Sequence, residues 1–143
     1  MADRKTQKLL EGLQSDLERE LRAMLQYTYQ ASMILGLGSL NVSAYLRQEG
    51  SEELKHIAFL CDQIVALGGN PKLSSPKFSE TRDLKTMLEN DLDAERESIL
   101  EYRERVKQAD AAGEVGLKFR LEELIAQETD HMRQLERILR GWI

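Results

Sequence analysis

Cysteine occurs once in this chain, at Cys61, and proline twice, at Pro71 and Pro76. A single thiol excludes an internal disulfide and any metal site built from several thiolates. Its plainest role is that of a small side chain in a helix packing surface. With both prolines confined to one short window, nothing elsewhere interrupts helix. No apolar stretch reaches the length of a membrane span, and the opening residues MADRKTQK lack the apolar region of a signal peptide. Long basic runs are missing too. At a net charge of −5 the chain carries no electrostatic footprint for nucleic acid. The expectation is a cytoplasmic protein with neither a membrane nor a nucleic-acid partner.

What the chain does have is helix formers. Ala, Leu, Glu, Lys, Arg and Gln dominate 143 residues that are 41% hydrophobic and 31% charged. That predicts an all-α protein, long enough for one domain, residues 1–143, with a real core. Apolar residues recur at helical period in four stretches. The first stripe runs through Leu10, Leu13, Leu17, Leu21, Met24, Ala31 and Leu35 and ends near Gly36 and Gly38. The second, with Ser39 or Asn41 as its cap, carries Val42, Tyr45, Leu46, Leu60, Ile64 and Leu67 and stops at Gly68-Gly69-Asn70-Pro71. The third, capped by Thr81 or Ser79, carries Leu84, Leu88, Leu92, Ile99 and Val106, and the turn Asp110–Gly113 leads to the fourth, with Leu117, Leu121, Leu124, Leu135 and Leu139. Two short turns flank one long irregular stretch, Gly68 to Thr81. This describes an antiparallel four-helix bundle with one long crossover between helices 2 and 3.

Each stripe is interrupted by polar residues. Glu20 and Tyr27 fall on the first, Glu49, Glu53 and His56 on the second, Glu95 and Tyr102 on the third, Glu128 and His131 on the fourth. An interior carboxylate without a partner costs several kcal/mol, and several together repel one another and take up protons. Such a set makes sense where a cation neutralises it. Taken singly, each residue has a blander explanation: a solvated Glu, a satisfied core His, a tyrosine that only packs. Glu49 fits a hydrated end of the bundle best, or a metal access route. Together they form a pattern. The two histidines each follow a Glu by three, in "EELKH" and "ETDH", which places each pair on one side of a helical turn. With 17 glutamates in 143 residues, chance produces both spacings with a probability of about 0.014. The motifs lie 75 residues apart, and the same offset carries Glu20 to Glu95 and Tyr27 to Tyr102. "DLERELRAMLQY" (Asp16–Tyr27) aligns without gaps with "DLDAERESILEY" (Asp91–Tyr102), identical at five of twelve positions.

The chain is therefore an internal repeat of two helical hairpins. A pseudo-twofold axis between them predicts a near-symmetric site, each half supplying one Glu from its first helix and a Glu-x-x-His from its second. Four carboxylates balance two divalent cations, with Glu53 and Glu128, one turn from the histidines, as bridges. Oxygen-rich ligation with one nitrogen per ion suits two iron ions, with manganese as the second candidate. Tyr27 and Tyr102 lie two turns beyond their own half's Glu, so each hydroxyl is expected on the opposite Glu: Tyr27 on Glu95, Tyr102 on Glu20.

In the motifs "ELRAMLQY", "EELKH", "DLDAE" and "QETDH" the sequence resembles the ferritin-like diiron carboxylate proteins, bacterioferritins and rubrerythrins above all, over nearly its whole length. The resemblance implies a ferritin-like bundle with a diiron site of Glu20, Glu53, His56, Glu95, Glu128 and His131. It implies oxidation of ferrous iron by dioxygen or peroxide, or a peroxidase fed by an external redox protein, or non-catalytic iron storage. Where bacterioferritins carry a haem-binding methionine after the second-helix Glu, this chain has Leu54, so haem is not expected. Gln48 stands where they place a histidine on the cage lumen, and Ser98 where rubrerythrins place a further Glu. Without the short fifth helix of cage-forming ferritins, a homo-oligomer is expected to be a dimer rather than a cage.

Overall fold

A computed structural model describes residues 3–142. Four helices account for most of them: α1 (Arg4–Met33), α2 (Ser39–Ala66), α3 (Leu84–Ala111) and α4 (Val115–Arg140). At 1.5 Å per residue they are roughly 40–45 Å long. α1 packs on α2, α3 packs on α4, and the two hairpins meet chiefly through α1 and α3. None of the helices is long and apolar enough to cross a membrane.

The helix ends differ from expectation in three places. α1 stops at Met33, because Ile34 is extended, and Leu35 is 89% exposed rather than part of the stripe. α2 is entered through Gly38 at φ 84°, a left-handed conformation that glycine adopts without strain, so neither Ser39 nor Asn41 caps it. α3 is capped by Asp83, whose carboxylate accepts from the Thr86 backbone N–H at 3.0 Å; Thr81 only accepts from Asp83. The crossover, residues 67–83, lies along α1. The Gln14 side chain brackets the Lys72 backbone with two bonds of 3.0 Å, and Phe78 packs against Tyr29 with ring centroids 5.4 Å apart.

The repeat governs the core. Leu13 and Leu88, Leu17 and Leu92, Leu46 and Leu121, Leu60 and Leu135 are pairs at the 75-residue offset, and all eight are buried. Each contributes about 1.5–3 kcal/mol by leaving water. The apolar interior nevertheless falls into two clusters, one holding Leu9, Leu13, Leu60 and Tyr102, the other Tyr27, Leu46, Leu88 and Leu135. A belt of buried glutamates and histidine separates them.

Candidate metal centre

The belt is the predicted convergence. Glu20, Glu53, Glu95 and Glu128 are 1–3% exposed, and His56 is 3% exposed. One group joins Glu20, Glu53, His56 and Glu128, a second joins Glu53, Glu95, Glu128 and His131, and in each the polar atoms lie within 4.8 Å of one another. Glu53 and Glu128 belong to both groups. His56 Nδ1 faces Glu128 at 3.2 Å and Glu20 and Glu53 at 3.5 Å. His131 Nδ1 faces Glu49 at 3.1 Å and Glu95 at 3.7 Å. The other ring nitrogen of His56, Nε2, lies 2.8 Å from the Gln127 amide oxygen, which orients the ring. Tyr27 donates to Glu95 at 2.8 Å and Tyr102 to Glu20 at 2.6 Å. Both bonds cross between the halves, a reciprocity that a twofold axis requires. Each tyrosine ring belongs to an apolar cluster while its hydroxyl reaches the belt.

Crowding sets the protonation. His56 is pushed up to about 11: burial opposes the charge, but the facing Glu128 and Glu20 carboxylates outweigh it. His131 is raised for the same reason, with Glu95 and Glu49 prevailing over burial. Glu128 stands well above the usual carboxylate range, through burial first and the Glu20 and Glu95 carboxylates after it. Burial would raise Glu95, but the neighbouring Glu128 and His131 and the Tyr27 hydroxyl outweigh it and hold it below its usual value. Protons thus neutralise the metal-free belt, and each proton so held is one that a cation bound there would displace. The tyrosine hydroxyls are raised well above their usual value, by burial and then by the carboxylates they serve, and stay donors.

Three features escaped sequence reasoning. Glu49, expected at a hydrated end or on an access route, is 4% exposed and lies against His131; with no glutamate at the 75-residue offset, the repeat gave no sign of it. Gln127 heads the "QETDH" motif, yet nothing in its spacing marks it as the partner of His56. Beyond the belt, Arg105 grips Asp16 with two bonds of 2.7 and 2.9 Å, and Arg19 adds a third contact at 2.9 Å. At the equivalent place Gln26 donates to Asp91 at 2.7 Å. The signal for this layer was available: Asp16 and Asp91 are aligned identities in the repeat.

Two openings lead to the belt. Between α1 and α3 a cavity of about 20 Å³ is lined by Arg19, Ala23, Glu53, Glu95, Ser98 and Glu128. A wider groove of about 280 Å³ between α2 and α4 reaches His56 past Glu52, Glu123 and Gln127.

Known proteins share this architecture. The family model described as the Ferritin-like domain matches residues 10–142. A bacterioferritin of Brucella melitensis is 29% identical over 130 residues, 90% of this chain and 81% of its own length. One of Rhodobacter capsulatus is 30% identical over 132 residues, with the same coverage of each chain. A crystal structure of ferritin-like, diiron-carboxylate proteins from Bacillus anthracis superposes with a TM-score of 0.93 at 32% identity, covering 96% of this chain and 99% of the other. With the family model spanning nearly all of it, and relatives of this kind at both sequence and structure level, the chain belongs to the ferritin-like diiron-carboxylate family.

Proposed function

We propose that the protein is a diiron oxidase that takes ferrous iron as substrate and oxidises it with dioxygen or hydrogen peroxide, in iron homeostasis and protection against oxidative stress. The convergence of unpartnered atoms supports this reading. Glu20 Oε2, Glu53 Oε1, His56 Nδ1, Glu95 Oε2, Glu128 Oε1 and His131 Nδ1 are all buried and make no hydrogen bond. The six residues form two donor groups that share Glu53 and Glu128. Buried polar atoms are rarely left so, and carboxylate oxygens with one imidazole nitrogen per ion fit iron, or manganese. Glu20 and His56 would hold one ion, Glu95 and His131 the other, with Glu53 and Glu128 shared between them.

Iron held there supplies one-electron redox chemistry: two ferrous ions lose one electron each, and one peroxide takes both electrons with two protons and leaves as two waters. The chain does the rest. Tyr27 and Tyr102 hold the Glu95 and Glu20 carboxylates in place, and Gln127 orients His56. The cavity between α1 and α3 is large enough for a molecule about the size of water. The α2–α4 groove opens onto His56, with Lys55 and Arg120 beside Glu52 and Glu123 along it. Bacterioferritin relatives favour iron as the cargo and a homo-oligomer as the assembly. The paired tyrosines favour, as a second reading, a peroxidase of the rubrerythrin type fed by a redox protein.

The test is anaerobic loading with ferrous iron followed by stopped-flow mixing with dioxygen or peroxide. Ferric absorbance that grows with added iron and saturates at two ions per chain is the expected result. Two bound ions that stay ferrous with both oxidants would make this a storage or binding protein instead. Multiple turnovers of peroxide only when a reduced donor protein is supplied would select the second reading.

A further inference from the structure

The two halves match at every proposed ligand, and Glu49 is where the match fails. Its counterpart at the 75-residue offset is Leu124, 6% exposed and part of the apolar cluster. One turn before Glu49, Tyr45 brings a buried hydroxyl without a partner to the same side, where the other half has the exposed Arg120. Glu49 Oε2 is itself buried, makes no hydrogen bond, and lies 3.1 Å from His131 Nδ1. That distance is informative. Two donors at right angles on an ion, each about 2.1 Å from it, are about 3.0 Å apart. Glu49 stands just outside both four-residue groups; once Nδ1 gives its lone pair to an ion it has no proton left to offer Glu49, and a turn of that carboxylate brings the oxygen beside it onto the same ion.

We infer that Glu49 is a seventh metal ligand, serving only the ion on His131, and that the two metal positions are therefore unequal. This rests on the dinuclear reading above. The ion on His56 has Glu20 to itself and shares Glu53 and Glu128. The ion on His131 has Glu95 and Glu49 and the same two shared groups. In charge the first compartment balances a divalent ion, while the second carries one further negative charge and balances a trivalent one. The His131 position fills first with divalent metal and is the better home for an oxidised ion.

The experiment is titration of the metal-free protein with Co(II), followed by calorimetry and visible absorption, with anomalous scattering from crystals holding one equivalent. Two resolved steps are expected, with the first ion on His131. Glu49→Leu, which copies the counterpart Leu124, weakens the first step by about 10–100-fold and leaves the second in place, so that the two merge. Glu49→Gln, equal in shape, does the same, and thermal melting of both metal-free variants shows that they fold. Two ions of equal affinity, a first ion on His56, or a Glu49→Leu variant that weakens both steps alike would overturn the inference and leave the dinuclear reading standing. Fewer than two ions bound by the unaltered protein would overturn both.

Discussion

At the scale of single residues, Glu53 and Tyr27 separate holding a metal from tuning it. Glu53 belongs to both donor groups, so Glu53→Ala is expected to weaken both ions by about 10-fold or more. The metal-free variant should melt no lower than the parent, because a buried carboxylate has left a crowded belt; calorimetry and circular dichroism measure the two effects. Tyr27→Phe keeps every proposed ligand and removes only the 2.8 Å bond to Glu95. Two ions should still bind, with a changed rate of oxidation in stopped flow. An unchanged rate would return the tyrosine to packing alone. These residues were legible in the sequence because charge on an apolar stripe is rare and here recurs at a fixed offset. Glu49 was not, because it has neither a histidine three residues on nor a counterpart in the other half. Only the fold reveals that its turn of α2 lies against α4.

At the scale of elements, helix number, order and the long crossover follow from apolar periodicity and from where proline and glycine stand. Helix ends were less legible. Several Ser, Thr and Asp residues stand before α3, and the two bonds that Asp83 accepts from Thr86 make it the cap rather than Thr81. Where α1 meets α3, Gly12 matters more than its place in a helix suggests. A Cβ there would run into the Arg105 guanidinium, which is held by Asp16 and Gln108. At the equivalent place the other half pairs the larger Met87 with the smaller Gln30, whose amide approaches the Met87 carbonyl at 3.4 Å. Helix propensity alone makes Gly12→Ala stabilising by about 1 kcal/mol. Displacing a buried, doubly bonded arginine costs about 3–5 kcal/mol if the pair is lost. The variant is therefore expected to melt lower than the parent in urea and heat, and a rise would show that Arg105 moves aside freely.

At the scale of the whole molecule, metal and protons compete for the same interior. Burial pushes Glu49 and Asp91 up to about 7, from ordinary values of 4.5 and 3.8. Between those limits the unfolded chain has released protons that the folded chain still holds, so the metal-free protein loses stability as pH rises. His56, raised to about 11 from 6.5, contributes stability that is complete below 6.5 and fades above it, in the same direction. The metal-free melting temperature is expected to be higher at pH 5 than at pH 8. On the proposed dinuclear reading, divalent metal binds the folded state by displacing protons, so it should raise the melting temperature at pH 8 and much less at pH 5. Equal melting with and without metal at pH 8 would count against a buried centre.

The crossover between the hairpins has a practical consequence. Residues 67–83 are held to the bundle by contacts that include Gln14 with Lys72 and Tyr29 with Phe78. Each hairpin holds one of the two shared carboxylates, Glu53 or Glu128, and each tyrosine completes the other hairpin's glutamate. Cut between the exposed Ser74 and Ser75, the chain becomes two complementary pieces, neither of which has a whole site. Their reassembly should tighten with divalent metal and loosen with chelator, which makes the severed protein a two-part sensor whose signal is the joining of its halves.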